Sequence, residues 1–404
     1  MRVTVEKSNM CGMVKAQPSK SMAHRLLICA ALSGGICKID NLAYSDDILA
    51  TINCLNALGI SCEKFDNYVI VYGKKVNEFK ASSPLMCNEC GSTLRFFIPL
   101  ALLLNQEVMF LGTKKLFSRP LTLYDDLCSK HNFTFKKEEG SLLIKGQLLP
   151  GEYNIAGNVS SQFISGMLFA LSAIKGKSVI NITTTLESRS YVNLTIAALN
   201  EFGINAYFEN DKKIVVTGGT YTPKNVVVEG DYSNASFLDA LNYLGNSVNV
   251  LGLDAKSLQG DRVYKEYFEK LKNENAVLDI NDCPDLAPIL FVIAVLFNGA
   301  TFLGTNRLKI KESDRATAMA EELAKFGANI LIGDNQVTIT KTELYAPKTA
   351  IYGHDDHRIV MALTILLTKF GGEIFGAEAI NKSYPNFFSD LLALNCELSI
   401  YDNN

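Results

Sequence analysis

Polar caps followed by long apolar runs recur six times along this chain. Each copy opens on a short polar segment, continues as an apolar helix, and stops at a Gly or Asn. A short alternating strand, a polar loop, an amphipathic helix and further strand complete it. The capped runs are PSKSMAHRLLICAAL from Pro18, GSTLRFFIPLALLL from Gly91, SSQFISGMLFALSAI from Ser160, YSNASFLDALNYLG from Tyr232, PDLAPILFVIAVLF from Pro284 and DDHRIVMALTILL from Asp355. Successive starts differ by 73, 69, 72, 52 and 71 residues, so the period is about 70 and the fourth copy is truncated.

The second half of the unit repeats as well, most clearly in DNLAYSDDILATINCLNALGI, NITTTLESRSYVNLTIAALNEFGI and GTNRLKIKESDRATAMAEELAKFGA. Each has apolar positions at helical spacing, a Gly stop, and then a strand such as YVIVYG, KIVVTGG or QVTITK. A helix as apolar as PDLAPILFVIAVLF has no wet face, so sheets and amphipathic helices must surround it. The pattern predicts an α/β (α+β) protein of six βαβαββ-like units, three per domain, packed around buried helices. One domain is expected to combine residues 1–13 with 225–404 and the other to span 14–224, joined by two crossing segments near 12–15 and 222–230. The N-terminal strand is then free to complete the last sheet of the first domain.

Composition narrows the classes. A chain of 404 residues with 48% hydrophobic side chains and a mean hydropathy of +0.11 has enough apolar surface for two or three domains. The 39 basic and 42 acidic residues leave a net charge of −3, so no global field favours nucleic acid or an anionic membrane. The N-terminus lacks the cationic and apolar regions of a secretory signal. The longest apolar stretch, Leu286 to Phe297, is 12 residues long and contains a proline, too short to span a bilayer. Ten cysteines scattered through apolar segments fit reduced thiols in a cytoplasmic protein. Cys87 and Cys90 form a CxxC, open to a zinc or redox reading, but with no second pair or nearby histidine ordinary loop cysteines are the better one. His24, His131, His354 and His357 are dispersed, and no metal is expected.

The polar caps carry the chemistry. Ser, Thr and Asp are ordinary helix N-caps, and any one of them is explained by capping alone. Cations beside the caps are not: Lys20, Arg25, Arg95 and Arg358 lie in the first turns of helices that otherwise read as apolar, where a charge needs a partner. Helix N-termini favour anions through free N–H groups and the dipole. Arg119, Arg189, Lys309, Lys311, Arg315 and Lys382 add further cations in the polar loops. If pseudo-symmetry gathers these at one cleft, the ligand carries several phosphate or carboxylate groups. In KIKESDR, Ser313 reads first as an ordinary cap, yet Glu312 among lysines is also suited to proton transfer.

These motifs, PSKSMAHR, CGSTLR, SRP, SSQF, SRSY, PDLAP, RLKIKESDR, DHR and NKSYPNF, occur in an order that resembles the 5-enolpyruvylshikimate-3-phosphate synthase family from end to end. The resemblance implies two domains, each of three βαβαββ units, and transfer of the enolpyruvyl group of phosphoenolpyruvate to the 5-hydroxyl of shikimate 3-phosphate. It implies no cofactor, a place in aromatic amino acid biosynthesis, and a target of glyphosate. Its small-molecule substrates exclude nucleic acid and membrane partners, and a cytoplasmic monomer is expected. By motif, Lys20, Ser21, Arg25, Ser160, Ser161, Gln162, Ser188, Tyr191, Asp285, Arg307 and Lys311 would contact shikimate 3-phosphate. Lys20, Gly91, Arg119, Gln162, Arg315, Arg358 and Lys382 would meet phosphoenolpyruvate, with Gly91 leaving room beside that anion. Asp285 is expected as base toward the hydroxyl and Glu312 as acid toward the methylene, supported by Lys20 and Lys311. Two positions depart from the common family pattern, since Glu89 and Arg307 both stand where Asn is usual. The rivals are the enolpyruvyl transferase acting on UDP-N-acetylglucosamine, whose loop cysteine is missing from LGTKKLFSRPL, and a non-catalytic repeat scaffold.

Overall fold

The computed structural model describes residues 1–402. The chain forms two compact units, Met1–Gln17 with Gly230–Asn404, and Pro18–Glu229. Both divisions fall a few residues later than the expected 13/14 and 224/225. Backbone pairing explains the shift. Strand Cys11–Lys15 pairs with Ser247–Leu251 and Gln17 accepts a hydrogen bond from Asp231, holding residues up to 17 in the first unit. Strand Val226–Val227 pairs with Ile36–Asp40, which keeps residues up to 229 in the second.

The Pro18–Glu229 unit has three four-stranded sheets with one topology. In the second, Leu85–Asn88 runs parallel to Val108–Gly112, followed by antiparallel Ser141–Lys145 and Thr134–Glu138. The third repeats this with Glu152–Ile155, Gly176–Ile182, Lys213–Gly218 and Asn205–Asn210. A parallel pair needs a crossover, and the apolar helices Gly91–Ala101 and Ser161–Ser172 supply it. In the first sheet the helix Lys20–Ala31 precedes Ile36–Asp40, but the parallel partner of that strand is Val226–Val227 from the far end of the unit. The amphipathic helices Asp46–Ala57 and Arg189–Glu201 are followed by Gly59 and Gly203 at φ +85° and +82°, the left-handed stop that their pattern predicts.

The other unit carries two such four-stranded sheets and one two-stranded remnant. Ser247–Leu251 pairs only with Cys11–Lys15, which accounts for the short fourth repeat. Arg2–Val5 lies between Gly372–Phe375 and Leu398–Tyr401, so the N-terminal strand completes the last sheet as expected. The first strands of the first and fourth repeats are therefore exchanged. Helices Tyr232–Ala240, Ala287–Leu296 and His357–Phe370 pack on one another at the centre, and every residue from Ala287 to Val295 is buried.

In the Pro18–Glu229 unit the central helices meet at Gly166. A Cβ there would lie 2.4 Å from both the Arg95 carbonyl oxygen and Tyr124 Oη. Tyr124 Oη donates to that same carbonyl at 2.7 Å, so backbone and ring leave no room. Gly166→Ala is expected to destabilise the protein by about 1–3 kcal/mol through overpacking. Thermal unfolding checks this through a lower Tm.

Candidate active site

Within Met1–Gln17 with Gly230–Asn404, the fully apolar helix starts after a short 3₁₀ turn, Pro284–Leu286, which presents Asp285. Three cations close on that carboxylate. Arg315 donates to Oδ1 at 2.7 Å, Lys311 to Oδ1 at 3.2 Å, and Arg358 to Oδ2 at 3.0 Å. Burial alone raises the pKa of Asp285, but the charges of Arg358, Lys311 and Arg315 outweigh it and hold the carboxyl well below its ordinary range. Burial pushes the Lys311 ammonium down; Asp285 pulls it back up, Arg307 and Arg315 oppose that, and its pKa settles at about 8.

Arg315, only 2% exposed, is locked by a second carboxylate. Asp356, fully buried, accepts from Arg315 Nε at 2.8 Å and also caps its own helix by accepting from the Arg358 N–H at 3.0 Å. Glu312 lies 2.8 Å from His357 Nδ1 and 3.8 Å from Arg315. Arg307 is buried on the 3₁₀ turn Asn306–Ile310. Lys382 is exposed and donates to the Asp355 carbonyl at 2.6 Å. Asp231 and Asp261 were not singled out by their sequence. Burial, with Asp285 nearby, raises Asp261 to about 7, and Ser233 links it to Arg358. The polar QGDR beside the truncated repeat was the one available signal for Asp261.

Within Pro18–Glu229, the first turns of the central helices also collect cations. Lys20 pairs with Asp47 at 2.7 Å. Arg95 donates to Gln162 Oε1 at 2.7 Å, and Gln162 Nε2 donates to Ser92 Oγ at 2.9 Å. A Cβ on Gly91 would stand 3.0 Å from Arg95, 3.2 Å from Arg119 and 3.7 Å from Gln162, so these three side chains converge on the bare helix start. Among the described residues, Arg119 Nε and one terminal nitrogen are buried without a hydrogen-bond partner, a costly state that an anion would relieve. Ser160 caps its helix by accepting from the Gln162 N–H at 3.3 Å, with Ser161 buried beside it. Ser188 is held left-handed at φ 54°, immediately before Arg189–Glu201.

Arg25 corrects its expected role as a direct substrate contact. It is 2% exposed and turned inward, with Nε donating to Thr195 Oγ1 at 2.8 Å and its terminal nitrogens donating to the Ser21 and Tyr191 carbonyls. Its place is to brace Ser21 and Tyr191. The cap of the Gly91 helix is Cys90, whose sulfur accepts from the Thr93 N–H at 3.4 Å. Burial pushes the thiol of Cys90 up to about 12 and that of Cys87 well above its ordinary value.

Two clusters have geometry that a metal ion could use, His24 with Asp47 and Cys90, and Glu312 with Asp356 and His357. In each the buried carboxylate already faces a cation, Lys20 or Arg315, so a divalent ion would compete with a resident positive charge. Burial lowers the pKa of His24 to about 3, and the imidazole sits neutral against Thr51 at 2.8 Å.

Repeated α/β sheets, buried cations aimed at helix starts, and a carboxylate–lysine pair tuned near neutrality define a group transferase that handles anionic substrates. Known proteins agree in detail. Residues 5–391 match the family model of EPSP synthase (3-phosphoshikimate 1-carboxyvinyltransferase). The 3-phosphoshikimate 1-carboxyvinyltransferase of Clostridium botulinum (strain Eklund 17B / Type B) is 40% identical, with 95% of each chain covered, and that of Clostridium kluyveri is 38% identical over 98% of each. In fold, an EPSP synthase structure from Acinetobacter baumannii has a TM-score of 0.80 at 21% identity, covering 99% of this chain and 100% of that one. The enolpyruvyl transferase NikO from Streptomyces tendae has a TM-score of 0.79 at 13% identity, with 98% of each covered. The chain belongs to the EPSP synthase family. It is an enzyme of the shikimate route to aromatic compounds, and neither the UDP-N-acetylglucosamine reading nor a bare scaffold is favoured.

Proposed function

We propose that this chain transfers the enolpyruvyl group of phosphoenolpyruvate to the 5-hydroxyl of shikimate 3-phosphate as a cytoplasmic monomer, with the residues above in specific roles. The observation that carries the mechanism is the buried Asp285–Lys311 pair. A carboxylate held as low as Asp285 is a poor base, whereas Lys311 near 8 matches the working pH. The base is therefore Lys311, and Asp285 orients it and the hydroxyl.

In the addition, the hydroxyl oxygen bonds to C2 of phosphoenolpyruvate and its proton passes to Lys311. Glu312 gives a proton to the methylene carbon, which becomes a methyl. In the elimination, Glu312 takes a proton back from that methyl, the double bond re-forms, and the bond from C2 to the phosphate oxygen breaks. Lys311 returns its proton to the leaving phosphate, and both residues regain their starting states. Arg315 and Arg358 in one unit, and Gly91, Arg119, Gln162 and Lys20 in the other, supply donors for the phosphate and carboxylate of phosphoenolpyruvate. Ser21, Ser160, Ser161, Ser188, Tyr191 and Arg307 serve shikimate 3-phosphate. Lys382 joins the anion contacts from the segment Ala377–Lys382.

Phosphate release from phosphoenolpyruvate tests this reading, run with shikimate 3-phosphate and separately with UDP-N-acetylglucosamine. Release is expected with the first acceptor, and release with the second alone would overturn the assignment. Because Lys311 must be neutral to accept a proton, kcat/KM is expected to rise with pH through a midpoint near 8. A Lys311→Arg variant that keeps both turnover and that limb would remove Lys311 from the role.

A further inference from the structure

Glu89 lies in the short connection between strand Leu85–Asn88 and helix Gly91–Ala101. Its place is set by the backbone on both sides. Asn88 takes the left-handed conformation at φ 51° and offers its carbonyl to the Thr113 N–H at 2.8 Å, while the Cys90 N–H closes a turn onto Cys87 at 2.9 Å. The Glu89 side chain therefore faces the Lys114–Ser118 helix and Arg119 beyond it. One carboxylate oxygen, Oε1, stands 3.5 Å from Arg119 and 3.6 Å from Lys115.

The two cations differ in their surroundings. Arg119 is 11% exposed and turned toward Gly91 with Arg95 and Gln162, whereas Lys115 is 37% exposed at the rim. Both distances exceed those of a tight charge-assisted hydrogen bond. Glu89 is thus shared between them and committed to neither. A buried guanidinium with unspent donors that aims at a helix start is built for an external anion, yet here it also faces an internal negative charge.

We propose that Glu89 is an exchangeable counter-ion for Arg119, released to Lys115 when phosphoenolpyruvate arrives, and that this exchange sets how tightly the anion is held. This rests on the placement of phosphoenolpyruvate at Arg119. Without ligand, Glu89 offsets the charge of Arg119. With ligand, the incoming phosphate or carboxylate takes the guanidinium, and Lys115 keeps Glu89 neutralised and away from the anion. Glu89 thereby weakens substrate binding by a fixed amount, and Lys115 limits that loss.

The test is a double-mutant cycle on the KM for phosphoenolpyruvate, followed by phosphate release at saturating shikimate 3-phosphate. Glu89→Gln is expected to lower this KM about ten-fold, the effect of removing one like charge at close range, and to leave the KM for shikimate 3-phosphate within two-fold. Lys115→Ala is expected to raise the KM for phosphoenolpyruvate in the wild-type background, because Glu89 then has only Arg119. The same change in the Glu89→Gln background is expected to do nothing. A KM that stays the same or rises in Glu89→Gln overturns the exchange, and so does a Lys115→Ala effect of equal size in both backgrounds. Glu89→Asn is the second variant should glutamine disturb folding, which thermal unfolding would show. Failure of the wild type to turn over shikimate 3-phosphate would instead break the placement of the substrate, so the two failures are distinguishable.

Discussion

Replacement of Asp285 by asparagine is expected to lower kcat by roughly 10³-fold, within the range for loss of a general acid–base element. The substitution is nearly isosteric and keeps one oxygen to accept a hydrogen bond, so shape is preserved. What disappears is the negative charge that balances Arg358, Lys311 and Arg315. Asp285 is also the group that raises Lys311 against its burial. Without it, the Lys311 pKa falls further below 8, and the ascending limb of the pH profile moves to lower pH. Turnover therefore drops while the limb shifts in a stated direction, a combination that simple unfolding does not produce. The kcat profile of the variant across pH 6 to 10 checks it. Turnover within three-fold of wild type, with the limb unmoved, would exclude Asp285 from the reaction.

Asp356→Ala is the corresponding change in stability. Arg315 and Asp356 form a pair shielded from water, and removing one partner of a buried pair costs about 3–5 kcal/mol because the other charge is stranded. The same carboxylate caps the helix His357–Phe370, and the lost cap adds about 1 kcal/mol. Urea unfolding is expected to show the loss as a lower midpoint with little change in slope. Adding Arg315→Met, which removes the stranded charge, is expected to recover part of it. Loss of the same size in the single and double variants would show that the cost lies elsewhere.

Much of this architecture is written locally in the chain. A run such as PDLAPILFVIAVLF can only be buried, and the Gly stops of the amphipathic helices fall where left-handed backbone is needed. Ser19 was legible as a cap because it directly precedes its helix. The caps of the Gly91 and Tyr232 helices were not, because Cys90 and Asp231 take the position that the neighbouring Ser92 and Ser233 suggested. Partners far apart in sequence were less visible. Nothing near Lys20 points to Asp47 on another helix, nothing near Arg25 points to Thr195, and the guanidinium reads as a ligand contact until its inward hydrogen bonds are seen. Glu89 was visible as a departure from the family pattern, but its position between Arg119 and Lys115 depends on a left-handed Asn88 that the sequence alone does not announce.

The exchange of first strands has a consequence for the order in which the protein is made. Pro18–Glu229 contains every strand of its three sheets, so it can fold as soon as Val226–Val227 has left the ribosome. Arg2–Val5 and Cys11–Lys15 are made earlier but must wait, because their partners lie at Ser247–Leu251, Gly372–Phe375 and Leu398–Tyr401. At about 5–20 residues per second, that delay lasts tens of seconds. During that time Val3 and Val5 are solvent-exposed, and the short strand is flanked by Arg2, Glu6 and Lys7, charges that discourage pairing with other nascent chains. The inserted domain thus matures first, and the domain that carries Asp285 and Lys311 is assembled only when synthesis is nearly complete.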